Sequence, residues 1–348
     1  MGRKFKIVFV LPGRGRAGGL RVPVIQSNLL KERGHDVRIY YHRKPFRFVD
    51  GYRYVNSHLF RRDSHDWVSE FSGEAKGFRN IEECVFDDGE IIIGIGMWAS
   101  LQLGKLANLG NPKIKYIHGQ TSWDVGLMKE TLELPYPKII IADYLRNVVS
   151  GYDGGNVLAL IYNGVDKNFY YSYKDQEERD GFGMIYQIHP AKDPETMNRI
   201  IDRFRKECPE IPIRCFGFGD PPKGIRKEHY RRYPSVDAVR EMYNRTAVWV
   251  VPSKTEGFSL VILEAMACGC AVVATDCGAA REVIDDGENG FLVNVGDTQG
   301  IADKVRLLLG DRDLRRRIGR NALETVGRFT WERNVTELER ALGMVASP

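Results

Sequence analysis

Short apolar runs alternate with helical patterns along most of the chain, as expected of βαβ units that build a parallel sheet. Apolar runs at 6–11, 36–41, 91–95, 113–118, 138–142 and 157–162 predict strands, with helices between several of them. The pattern restarts at 183–188, 213–216, 247–252, 271–275 and 290–293, separated by helical stretches such as 194–207 and 259–268. Two Rossmann-like halves follow. The polar, tyrosine-rich segment 163–180 between them reads as a linker, and 43–80 shows no readable periodicity.

Length agrees with this division, since 348 residues suit two domains of roughly 150 residues each. No apolar run approaches the ~20 residues needed to span a bilayer. The basic start at Arg3, Lys4 and Lys6 leads into a short apolar stretch that ends at Leu11-Pro12 without a small-residue cleavage site, so it reads as a buried strand and not a signal peptide. The six cysteines show no metal-ligand spacing, and Cys268-Gly269-Cys270 leaves one residue where zinc sites have at least two. Reduced thiols and a cytoplasmic location are expected.

Charge changes the picture in the first 62 residues. There Arg3, Lys4, Lys6, Arg14, Arg16, Arg21, Lys31, Arg33, Arg38, Arg43, Lys44, Arg47, Arg53, Arg61 and Arg62 face only Glu32, Asp36 and Asp50. Such a half suits an anionic acceptor or the inner face of an acidic membrane, and the alternative is a solvated surface. Nucleic acid is not favoured as a partner.

The most informative stretch runs from Val250 to Gly269 and reads as strand, loop, helix and cap. Pro252 ends the strand, Ser259 suits an N-cap, and Gly269 suits a left-handed C-cap. The helix between them is apolar on every side except at Glu264. A carboxylate in a buried helix costs several kcal/mol unless it is paired, and the two hydroxyls of a ribose would serve. Glu256 lies in the loop ahead of the same helix, where amide groups and the positive helix end attract a diphosphate.

Two glutamates separated by seven residues, in Glu256-Gly257-Phe258-Ser259-Leu260 and Glu264-Ala265-Met266-Ala267-Cys268-Gly269, resemble the donor-site signature of glycosyltransferase family 4. Further parts of the pattern occur in order: Gly18-Gly19, Arg33-Gly34-His35-Asp36-Val37, Tyr162-Asn163-Gly164-Val165-Asp166, Gly278 with Arg281-Glu282-Val283-Ile284, Gly287–Val293, and Phe329-Thr330-Trp331-Glu332. The likeness is dense from Tyr243 to Val293 and patchy before Lys113.

The resemblance implies a GT-B architecture, an α/β fold of two Rossmann-like domains facing a central cleft. An acceptor-side domain would span 1–165, a nucleotide-sugar domain 166–328, and a terminal helix at 329–348 would pack back toward the first. It implies a retaining, metal-independent glycosyltransferase without a bound cofactor, using a nucleoside-diphosphate sugar as co-substrate. The acceptor stays open between anionic, lipid-linked and glycan classes. By the same resemblance Glu264 holds the ribose hydroxyls, Glu256 contacts the donor sugar, and Lys192 neutralises the departing diphosphate. His118 contacts the sugar from the first domain. Gly257, Phe258, Ser259 and Leu260 present amides, Gly18 and Gly19 let the first loop approach closely, and Gly217, before Phe218-Gly219, lies near the nucleotide.

Two positions depart from the family pattern. Gln187 replaces an arginine five residues before Lys192, and Asp193-Pro194 replaces the glycine after it, which predicts a changed loop geometry. Two other readings compete. Gly13, Gly15 and Gly18 fit a dinucleotide fingerprint, and His42, Arg43 and Lys44 at the second strand's end would allow only the phosphorylated cofactor of an NADP-dependent oxidoreductase. A non-catalytic nucleotide-sugar binder is the third class. Asp311-Arg312-Asp313 reads as a helix cap in preference to a metal site, and Asp87-Asp88-Gly89 and Asp285-Asp286-Gly287 as turns.

Overall fold

A computed structural model describes residues 3–43, 66–120, 125–152 and 156–346. The chain divides into two compact units, Met1–Tyr162 with Asn334–Pro348, and Asn163–Arg333.

The first unit holds strands β1 (Lys6–Leu11), β2 (Asp36–His42), β3 (Glu74–Phe78), β4 (Glu90–Ile95), β5 (Lys113–Ile117), β6 (Lys138–Ile140) and β7 (Val157–Leu160). They form one parallel sheet in the order β3-β2-β1-β4-β5-β6-β7. Continuous apolar runs such as Ile-Val-Phe-Val-Leu in β1 follow from burial on both faces. Glu90 at the start of β4 is 1% exposed and is satisfied by the Arg38 guanidinium at 2.6 Å and the Asp87 amide at 2.8 Å. The final helix, Trp331–Val345, supplies Asn334 and Glu339 to this unit. Gln26 donates to Asn334, and Glu339 is held by His35 and Arg33, each at 2.7 Å.

The second unit holds β8 (Asp180–Tyr186), β9 (Ile213–Gly217), β10 (Tyr230–Arg232), β11 (Thr246–Val251), β12 (Ala271–Thr275) and β13 (Phe291–Val293). They too run parallel, in the order β10-β9-β8-β11-β12-β13. Its core packs Met197, Ile200, Ile201 and Phe204 of helix Pro194–Glu207 with Phe182, Met184, Ile213 and Cys215 of the strands. Each such side chain stabilises the fold by about 1.5–3 kcal/mol on full burial.

Part of the basic first half is spent internally, since Arg14 pairs with Asp66, Arg38 with Glu90 and Arg33 with Glu339. Lys44, Arg47, Arg53, Arg61 and Arg62 lie outside the described residues. Among the described residues no helix is long and apolar enough to cross a membrane. The cysteines are unpaired, and burial pushes the Cys215 thiol up to about 12, which keeps it protonated.

Candidate active site

In the second unit, β11 is buried along its whole length and delivers the chain through Pro252 into a loop that ends at helix Leu260–Ala267. Ser259 stands at the N-cap position, as its sequence context predicts, but not as a capping side chain. Its backbone is left-handed, φ 55° and ψ 78°, and its side chain makes no capping hydrogen bond. The reason is geometric, because a serine caps from extended backbone and the left-handed turn carries Oγ away from the first amides. Oγ is buried and has no hydrogen-bond partner among the described residues. The other end is as expected: Gly269 has φ 78°, its amide donates to Met266, and the Cys270 amide donates to Ala265.

Glu264 is 8% exposed inside this helix. Its Oε2 accepts a hydrogen bond from the Tyr243 hydroxyl at 3.2 Å. Tyr243 ends fully buried on helix Val236–Arg245, and burial followed by the nearby Glu264 charge keeps its phenol protonated. Sequence reasoning missed this partner. The signal was the carboxylate itself, which required a donor, with a tyrosine three residues ahead of β11.

Lys192 and Glu256, 64 residues apart, are brought into direct contact, Nζ to Oε1 at 2.5 Å. Ser253 Oγ donates to the same oxygen at 2.6 Å. The two loops are tied at the backbone, because the amides of Lys254 and Thr255 both donate to the Ala191 carbonyl. Gly278 lies against the loop with φ 56°, where a Cβ would stand 2.1 Å from the Glu256 carbonyl oxygen.

The substituted glycine after Lys192 has a specific outcome. Asp193 itself adopts the left-handed conformation, φ 53°, which a glycine takes most readily and aspartate tolerates. Its carboxylate caps helix Pro194–Glu207 through the Thr196 amide and pairs with Lys254 at 3.2 Å. The aspartate therefore offsets its backbone strain with a cap and an ion pair. Gln187 is half-buried just beyond the end of β8.

The other predicted positions are placed as follows. Gly257 is half-buried in the loop, Phe258 is buried edge-on to Phe329 at 5.7 Å, and Leu260 opens the helix. Gly217 ends β9, where a Cβ would meet the Tyr186 carbonyl oxygen at 2.2 Å, so strand packing by itself demands a glycine. In the first unit, Gly18 and Gly19 open helix Gly18–Glu32, whereas the expectation set them in a loop; the left-handed glycine of that loop is Gly15. His118 follows β5, with its ring edge-on to Tyr116 at 4.8 Å. Its surface is half-exposed, but Nε2 is sealed from solvent and has no hydrogen-bond partner among the described residues. Desolvation pushes the imidazole down to about 4, opposed by a hydrogen bond with the Gly19 backbone, so the ring is neutral at pH 7.

Asp311 caps helix Arg312–Thr325 through the Leu314 amide, and Gly89 and Gly287 sit in left-handed turns, as read from sequence. Among the described residues, no group of three or more metal-ligating side chains is placed to hold an ion.

Residues 227–325 match the family described as glycosyl transferases group 1. The N-acetyl-alpha-D-glucosaminyl L-malate synthase of Bacillus anthracis is 29% identical over 196 residues, covering 51% of this chain and 51% of that protein. A D-inositol 3-phosphate glycosyltransferase of Nocardia farcinica is 40% identical over 164 residues, 42% of this chain and 36% of its own. The chain thus spans about half the length, or less, of these curated relatives. The solved structure of Anabaena HepE in complex with UDP superposes with a TM-score of 0.74 at 16% identity, covering 98% of this chain and 100% of that one, a likeness of fold. These findings bear out both the resemblance to glycosyltransferase family 4 and the fold class, and they do not favour the oxidoreductase reading of Gly13, Gly15 and Gly18.

Proposed function

We propose that this chain is a retaining glycosyltransferase that moves a sugar from a nucleoside-diphosphate sugar to an anionic acceptor, without a metal ion. The observation that carries the reading is that Glu256 and Glu264 share one loop–helix unit inside the stretch that matches the group 1 family, and that Lys192, from the turn after β8, is in direct contact with Glu256. Glu264, oriented by Tyr243, accepts from the ribose hydroxyls. Lys192 offsets charge on the departing diphosphate, and Glu256 accepts from donor-sugar hydroxyls. Positive charge and loop amides do the work that a divalent ion does elsewhere.

Two observations favour an anionic acceptor. The first half is basic, and the two relatives carry L-malate and inositol 3-phosphate in their names, both acidic small molecules. The first half is accordingly the acceptor side, and a cytoplasmic protein with peripheral contact to an acidic membrane face fits the same charge.

The test has two stages. A thermal-shift screen against nucleoside diphosphates and their sugars should raise the melting temperature with at least one pair, since a ligand bound only by the folded state stabilises it. Transfer to malate, inositol phosphate or anionic lipid is then followed by proton NMR of the anomeric centre. An inverted product, or stabilisation by no nucleotide, sinks the reading.

A further inference from the structure

We infer that the Lys192–Glu256 ion pair couples diphosphate binding to the presence of the donor sugar, and so promotes release of the nucleoside diphosphate after transfer. The inference rests on the donor-site reading above. Both partners are wanted by the ligand in that reading, yet the structure shows each already engaged by the other. Lys192 Nζ lies 2.5 Å from Glu256 Oε1, with the lysine side chain 28% and the glutamate side chain 10% exposed.

The pair is built into the site. Ser253, 2% exposed, donates to the same carboxylate oxygen, and its own carbonyl accepts from Thr275 Oγ1 at 2.5 Å and Cys277 Sγ at 3.3 Å. The Ala191 carbonyl receives two amides of the glutamate's loop, and Gly278 presses on the Glu256 carbonyl. Backbone contacts therefore hold the two charges within reach of each other.

A diphosphate that takes the Lys192 ammonium leaves a largely buried carboxylate without its counter-charge, which is costly unless new donors arrive. Sugar hydroxyls are such donors. The intact nucleotide sugar can replace both halves of the pair, whereas the nucleoside diphosphate alone can replace only one. Once the sugar has been transferred, its hydroxyls leave Glu256, and the carboxylate competes again for Lys192. The grip on the leaving product weakens as the reaction completes.

The test is a calorimetric cycle on the full chain with UDP against UDP-glucose and GDP against GDP-mannose, in wild type, Glu256→Gln, Lys192→Met and the double variant. In Glu256→Gln, the nucleoside diphosphate should bind about five- to tenfold tighter, and its sugar conjugate about tenfold weaker or worse. In the Lys192→Met background, the same amide substitution should change diphosphate affinity by less than about twofold, because the partner is already gone. Equal tightening in both backgrounds would mean simple carboxylate–phosphate repulsion and overturns the coupling while leaving the donor site intact. Unchanged or weaker diphosphate binding in Glu256→Gln overturns it as well. If wild type binds none of the four nucleotides, the donor reading fails and this inference with it. Should Glu256→Gln not fold, Glu256→Asp, which draws the charge back from Lys192, must shift diphosphate affinity in the same direction.

Discussion

The Tyr243 hydroxyl donates to Glu264 Oε2 across 3.2 Å, joining the end of one helix to the middle of the next inside a fully buried aromatic setting that includes Trp249 at 4.6 Å. The contact explains how a carboxylate survives in an otherwise apolar helix, and in the proposed function the same carboxylate accepts from the ribose hydroxyls.

Removing the carboxylate should therefore act on nucleotide affinity before anything else. Glu264→Ala should weaken nucleoside-diphosphate binding at least about tenfold, and Tyr243→Phe should do so less while costing about 1–3 kcal/mol of stability. Calorimetry and denaturant titration separate the two effects. Nucleotide binding retained in Glu264→Ala would falsify the ribose assignment.

Lys192→Ala should lower turnover about 10²–10³-fold, the usual cost of deleting one preorganised charge-stabilising group. Gln187→Arg, which restores the arginine of the family pattern, should tighten diphosphate binding and slow product release. Steady-state kinetics with product inhibition report both, and near-normal turnover in Lys192→Ala would move the phosphate site elsewhere.

Activity should survive exhaustive chelation. The measurement is turnover in excess EDTA against turnover with added magnesium or manganese, and a strict requirement for either ion contradicts the role given to Lys192.

His118 makes a prediction about pH. Burial lowers its pKa from 6.5 to about 4, so the unfolded chain binds a proton that the folded chain refuses. The stability it contributes is fully present above 6.5 and is lost as pH falls through 4. His118→Gln should flatten that acid limb in denaturant titrations, and an unchanged limb rejects the neutral, desolvated ring.

Gly278→Ala should be destabilising by about 1–3 kcal/mol, because it combines an unfavourable backbone conformation with a clash. The φ is 56°, and the new Cβ would lie 2.1 Å from the Glu256 carbonyl oxygen. Donor affinity should fall too, as Glu256 is displaced. Thermal unfolding and calorimetry of this variant are the check.

How much of this was legible before folding depends on how local the cause is. The strand at Lys6–Leu11 and the helix at Pro194–Glu207 follow from apolar period and caps within a few residues, and both appear with the predicted bounds. The strands Glu74–Phe78 and Tyr230–Arg232 were not readable, since edge strands exposed along most of their length carry little apolar pattern. Likewise Glu256, Glu264 and Lys192 stood out as residue types in a motif, and the need of Glu264 for a partner followed from its apolar helix alone.

Which polar group meets which was decided only by tertiary structure. Lys192 reaches Glu256 because β8 and β11 are neighbours in the sheet and the turn after one is bonded through Ala191 to the loop after the other. Tyr243 reaches Glu264 because helix Val236–Arg245 and helix Leu260–Ala267, on either side of β11 in sequence, pack against each other. The same closeness set the backbone at Asp193 and Ser259, two side-chain-bearing residues held left-handed against their local preference. Sequence carries the periodicity and the chemical inventory, because both are local. Contacts across 21 or 64 residues depend on strand order and loop packing, which no single stretch of chain encodes.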